Sequence, residues 1–405
     1  MVTYVALLML LQLEMPPAKA TFCSALLFVP WVLKSFMRSW VKRVGHFRQV
    51  LHLVEVLLFA SLILLAFSFK PTLFQLPSID SQLSICLALF LVSLLCAWHE
   101  LAARMYYERM LRPPYQRLLT TPKMFFSQVA VIMTYGALIF LVGTLEVYFR
   151  QIRYSWSMAC YVAAGVFLLF AFHHFVWLRS PRVGDNGSKH SVGASVKAEL
   201  RIIERIRDQK GWWKSVLVLF LLLLPQGLMF HARILYLYMP QVQGGLGCTM
   251  QEIGFAQGTV GVIAFSIGIA LGRHLVRRHS LSRLFWPMAV SIVLSPFVYL
   301  AMTFRPPESL WMLCLCTLSA QFLFGFGINV CRLPVGAISG ARYRNTINML
   351  QIPLVSAVML VPMAASGWMV EQMGFYNYFL VNALCAPLCL TGILLLAKPL
   401  LHEKN

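Results

Sequence analysis

The chain has 405 residues, 59% of them hydrophobic and only 12% charged, too few polar side chains to clothe a water-soluble globule. Its net charge of +20, from 34 Lys and Arg against 14 Asp and Glu, would suggest nucleic acid in a soluble protein. Here the basic residues cluster in the connections between apolar runs. They read as an orientation signal in a multi-pass membrane protein, which excludes a nucleic-acid partner.

A membrane-spanning helix needs about 20 apolar residues. The first run, in "MVTYVALLMLLQLEMPPAKA", stops at Glu14 and reads as half of such a helix. No basic residue precedes it and no small-residue cleavage pattern closes it, so it is not a secretory signal. Eleven longer runs follow, centred on 20–36, 50–69, 82–101, 125–148, 157–178, 214–238, 252–272, 284–303, 309–330, 347–370 and 375–397, for about twelve helices in all. Basic groups follow each even-numbered helix: Lys34 to Arg48, Arg104 to Lys123, Arg179 to Lys214, Arg273 to Arg283, Arg332 to Arg344, and Lys398 with Lys404. The odd connections hold only Lys19, Lys70, Arg150, Arg153 and Arg305, so both termini are expected in the cytoplasm of a cell whose inner membrane carries the protein.

The connection after the sixth helix divides the chain. "SPRVGDNGSKHSVGAS" has linker composition. "VKAELRIIERIRDQKGWWKS" puts Val196, Leu200, Ile203 and Ile206 near one helical face, with Trp212 and Trp213 at headgroup level. The expected domains are an N-terminal six-helix bundle over 1–178, a cytoplasmic linker with an amphipathic helix over 179–213, and a C-terminal six-helix bundle over 214–405.

Ionisable groups inside apolar segments are the first functional candidates, because an unpaired charge in hydrocarbon costs several kcal/mol. Arg233, with His231 beside it, lies within the seventh run. It either faces a central cavity to meet an anion or an acidic partner, or snorkels to the outer interface marked by Tyr236 and Tyr238. Glu55 with His52 reads as an interfacial pair, and Glu146 is ambiguous. Gln321 and Asn329 are amides able to bond a polar solute or a neighbouring helix. His173 and His174 point about 100° apart on a helix and cannot share one ion from one face. The ten cysteines form no CxxC pair, and no nucleotide loop or catalytic triad appears. No metal, cofactor or enzymatic activity is expected.

"IALGRHLVRRHSLSRLFW" resembles the glycine-and-basic loop of the major facilitator superfamily, through Gly272, Arg278 and Arg283. "FVPWVLKSF", with Pro30, Trp31 and Lys34, resembles the end of the second helix in the AmpG-type muropeptide permeases of the peptide/acetyl-coenzyme-A/drug branch. "CAWHELAARMYYERM" is similar to that group's fourth-helix motif, with His99 and Glu100 over a His-Asp pair. Pro362, Gly367 and Gly374 are similar to its eleventh-helix exit. The resemblance implies an all-α major facilitator fold that moves a polar, anionic, cell-wall-type solute with protons by alternating access. The protein would act as a monomer among membrane lipids. It places Glu100, partnered by His99, as the proton-coupling carboxylate, against a plainer reading of Glu100 as an intracellular anchor for a nearby base. Arg104 and Lys42 stand where the group carries acidic residues, and those reversals leave open a membrane sensor or scaffold that keeps the fold without transporting.

Overall fold

A computed structural model describes residues 2–34, 37, 47–69, 81–179, 201, 204–208, 211–339 and 344–402. Val196, Leu200 and Ile203 of the amphipathic segment, and Lys42, lie outside them. Ile206 is buried, as its place on the apolar face requires, and packs on the C-terminal half.

Among the described residues the chain forms twelve principal helices, the first two shorter than the rest: α1 (Val2–Gln12), α2 (Pro17–Val32), α3 (Phe47–Ser68), α4 (Ser81–Met110), α5 (Pro122–Phe149), α6 (Ile152–Trp177), α7 (Trp212–Tyr238), α8 (Met250–Arg278), α9 (Leu281–Phe304), α10 (Leu310–Ile338), α11 (344–373) and α12 (375–402). The last two are separate helices that meet at a kink at Gly374, whose φ of 74° is open to glycine at no steric cost, and both pack against α7 near Gly227.

Helix α1 is too short to cross a bilayer, at ~1.5 Å per residue, yet it is not peripheral. Every residue from Thr3 to Gln12 is buried, because α2, α4, α5 and α7 surround it. Its end is fixed by hydrogen bonds: the Gln12 amide donates to Glu146 (2.8 Å) and accepts from the Trp156 indole (2.7 Å), while Ser24 donates to the Thr3 carbonyl (2.9 Å). Glu146 thus joins α5 to α1.

Two seams hold the halves together. In the first, α5 and α8 cross backbone to backbone, each through a π-helical turn, Met133–Ala137 and Gly254–Val260. Gly136, Gly254 and Gly258 permit the approach, since a methyl group on any of them would overlap the facing helix. In the second, α2 meets α11, where Gly367 lies against Thr21 and the Pro17 carbonyl. The N-terminus of α2 donates its Ala18 amide to the Glu371 carboxylate (2.8 Å).

Helix interruptions are repaired by neighbours. Pro296 in α9 has no N–H for the Ile292 carbonyl, and the buried Gln226 amide of α7 donates there instead (3.0 Å). Tyr378 and Asn382 of α12 donate to the Leu228 and Pro225 carbonyls of α7 (2.8 and 3.2 Å). Such buried bonds make α7 a fixed wall, and it carries the principal candidate site.

Candidate functional site between the bundles

Arg233 is 8% exposed in the C-terminal half of α7. Its guanidinium lies over the Phe230 ring, 5.0 Å from the centroid, and its Nε is buried without a hydrogen-bond partner. Among the described residues no carboxylate pairs with it. Tyrosines supply its surroundings: Tyr4 of α1, Tyr135 of the α5 π-turn and Tyr299 of α9 all lie within its electrostatic reach. Tyr4 stacks on Tyr135 at 4.3 Å, and the Tyr4 hydroxyl is buried without a partner. Tyr299 donates to the Gln257 carbonyl oxygen (3.4 Å), and Gln321 faces the same phenol from α10.

This is a buried cation with phenols and amides from both halves near it. Together they offer unsatisfied donors, Arg233 Nε and Tyr4 OH, to an acceptor-rich anion. None of the three tyrosines was singled out in the sequence, where aromatic residues in apolar runs carry no sign of which way they face.

His231, also in α7, is fully buried but turned toward the backbone of Met363 in α11, and neither ring nitrogen makes a well-formed hydrogen bond. It shares the helix with Arg233 and lies within its electrostatic reach, as the three tyrosines do. Asn329 is used locally. Its amide donates to the carbonyls of Phe326 (3.1 Å), Gly325 (3.3 Å) and Ile269 (3.5 Å), at the 3-10 turn Ile328–Cys331 in α10. It fills the space above Gly272, where a methyl group would strike the Asn329 side chain. Two candidates that looked separate are one α8–α10 contact. Arg278 and Arg283 are exposed at the α8–α9 turn, and Ser280 caps α9 by accepting from the Arg283 amide (3.3 Å).

The expected His99–Glu100 partnership is replaced by two others. Glu100 reaches Lys34 of α2 (2.6 Å), a contact in which the lysine is buried and the carboxylate is 42% exposed. His99 turns the other way, toward Glu55 of α3 (3.4 Å). Residues adjacent on a helix diverge by about 100°, so one partner could not serve both. Glu55 in turn is 2% exposed and also pairs with His52, as the sequence suggested (3.2 Å).

The geometry predicts that Glu100→Gln, by leaving Lys34 buried without a counter-charge, lowers stability by about 1–3 kcal/mol. Adding Lys34→Met should recover part of that loss. Thermal unfolding of the single and double variants measures it, and a double variant no more stable than Glu100→Gln would sink the anchor reading.

No protein-family profile matches this sequence, and no curated protein matches it. Solved structures do. A bacterial homologue of the human lysosomal transporter Spinster, inward-facing and unoccupied, superposes with a TM-score of 0.72 at 13% identity, over 100% of this chain and 94% of that one. The nucleoside transporter NupG gives 0.69 at 13% identity, over 98% and 94%. The inward-open xylose transporter XylE from E. coli gives 0.61 at 13%, over 97% and 92%. At such identities the likeness establishes the fold, an all-α major facilitator fold of membrane-spanning helices.

Proposed function

We propose that the chain is a secondary transporter of a polar, anionic solute, which it moves by rocking its two bundles about the α5–α8 and α2–α11 seams. The observation that carries this is Arg233, a buried cation without an acidic partner among the described residues, within electrostatic reach of Tyr4, Tyr135 and Tyr299 at the junction of the halves. A charge at such a place is tolerated only beside water, a substrate or a counter-ion. The solved neighbours handle a pentose and a nucleoside, by their names, which supports a polar cargo. The likeness to muropeptide permeases at Lys34, His99, Glu100 and Gly367 supports a cell-wall-type cargo carried with protons.

In this reading Glu100 is the anchor of α4 to α2 through Lys34, and Gln321 presents its amide to the solute from α10. Uptake of labelled muropeptides into proteoliposomes, with and without an imposed pH gradient, tests the reading. Saturable uptake that unlabelled anionic analogues compete away is expected, whereas equal entry into empty liposomes would overturn it.

The charge pattern gives the orientation: a reporter fused after Ser188 should read cytoplasmic and one after Gly244 periplasmic. The opposite pair of results would reverse the orientation of every helix.

A further inference from the structure

Away from Arg233, the described structure brings one carboxylate together with three imidazoles. Glu55 of α3 receives His174 Nδ1 of α6 at 2.6 Å and His99 Nε2 of α4 at 3.4 Å, both on Oε1, and His52 Nδ1 of α3 at 3.2 Å on Oε2. The sequence offered these four residues as an interfacial pair, a mispaired neighbour and a superficial metal motif. Three helices bring them into one cluster.

The hydrogen-bond pattern assigns the protons. Arg48 Nε donates to His52 Nε2 (3.4 Å), so His52 carries its hydrogen on Nδ1 and gives it to Glu55. His174 likewise donates from Nδ1 and His99 from Nε2. That leaves His174 Nε2 and His99 Nδ1 as the ring nitrogens still able to accept a proton, whereas the corresponding atom of His52 is already engaged by Arg48.

We propose that Glu55, His99 and His174 form a proton-binding site of this chain, with the proton accepted at His174 Nε2 or His99 Nδ1. Binding breaks no hydrogen bond. It converts a neutral imidazole that donates to a carboxylate into an imidazolium paired with that carboxylate, and so cancels a negative charge at a buried position where uncompensated charge is costly.

Among the described residues, neighbouring titratable groups make contacts elsewhere. Arg48 acts on the far side of His52, His173 stacks on Trp177 (centroids 6.1 Å apart), and Glu100 is held by Lys34. The site lies between α3, α4 and α6, at the end of the N-terminal bundle where α3 begins and α6 ends, the expected cytoplasmic end. Using the proton to drive solute rests on the transporter reading above; binding it does not.

The test is a titration of the purified full-length protein in detergent, counting protons bound between about pH 8 and about pH 6, the range in which imidazoles charge. Glu55→Gln removes no group that titrates in that window, since an ordinary carboxyl charges near pH 4. The variant should nonetheless bind about one proton fewer than the wild type, because its imidazoles lose the counter-charge. If the two curves superimpose, the cluster is a structural staple and the proposal fails. Should Glu55→Gln not accumulate, Glu55→Asp retracts the carboxylate while keeping its charge, and a smaller loss of the same sign is expected, with superimposed curves again overturning the site. In proteoliposomes, Glu55→Gln should also lose the response of uptake to an imposed pH gradient. If the wild type itself moves no solute, the transporter reading fails while the titration result stands.

Discussion

Arg233→Ala should abolish solute uptake, by about a hundredfold or more, while leaving the amount of protein in the membrane nearly unaltered. The magnitude follows from the two or so charge-assisted hydrogen bonds that a planar guanidinium makes to an anion, at ~1.5–3 kcal/mol each, with ~1.4 kcal/mol per tenfold in affinity. Folding should survive because the residue makes no ion pair among the described residues, and its Nε has no hydrogen bond to lose. Removing an uncompensated buried charge is, if anything, relieving. Arg233→Lys should restore little, since an ammonium offers a point charge without the fork. Tyr4→Phe should weaken uptake less, by the one hydroxyl it withdraws. If Arg233→Ala transports normally, the cation is a structural residue and the site lies elsewhere; if the protein disappears from the membrane, Arg233 is structural in a way its missing partners do not suggest.

Gly258→Val should be nearly as damaging, by a different route. A β-carbon at Gly258 overlaps the Tyr135 carbonyl and the Gly136 amide nitrogen, which are backbone atoms and cannot rotate aside. The α5–α8 crossing would have to open, displacing Tyr135 from its stack on Tyr4 and from its place near Arg233. Overpacking of this kind costs about 1–3 kcal/mol, and more when backbone is the obstacle. A lower apparent melting temperature and loss of uptake are expected together. Gly165→Ala in α6 is the control: nothing stands within 4 Å of its added methyl, so it should be silent or slightly stabilising. Equal behaviour of the two variants would show that α5 and α8 do not meet as described. The pairing of two π-turns at this crossing suits a seam that must move, since such turns gather at functional sites where regular backbone bonding is relaxed.

How much of this was legible beforehand depended on the range of the interaction. The number of helices, and Arg233 as a charge out of place in α7, follow from hydropathy along the chain. Bilayer thickness and the cost of an unpaired charge act on each segment separately. Gly272 was recognisable from the loop motif it belongs to, though not that Asn329 would pack against it. The pairing of His99 with Glu100 went wrong for a reason already applied to His173 and His174: neighbours on a helix face apart. His99 therefore went to Glu55 and Glu100 to Lys34, and the even choice between coupling carboxylate and anchor for Glu100 could not be made without α2 beside it.

The sequence by itself determined that this is a membrane protein of about twelve helices, with its basic residues gathered in alternate connections. Those properties are sums over local composition, which a lipid solvent reads one segment at a time. Only the tertiary structure decided that a short first helix would lie buried among α2, α4, α5 and α7, that Tyr4, Tyr135 and Tyr299 would come within electrostatic reach of Arg233, and that Glu55 would gather histidines from three helices. Lipid is as apolar as leucine, so hydropathy does not say which face of a spanning helix turns inward. That is settled by small residues that let backbones touch and by polar groups that must find one another, and their partners lie far away in the chain.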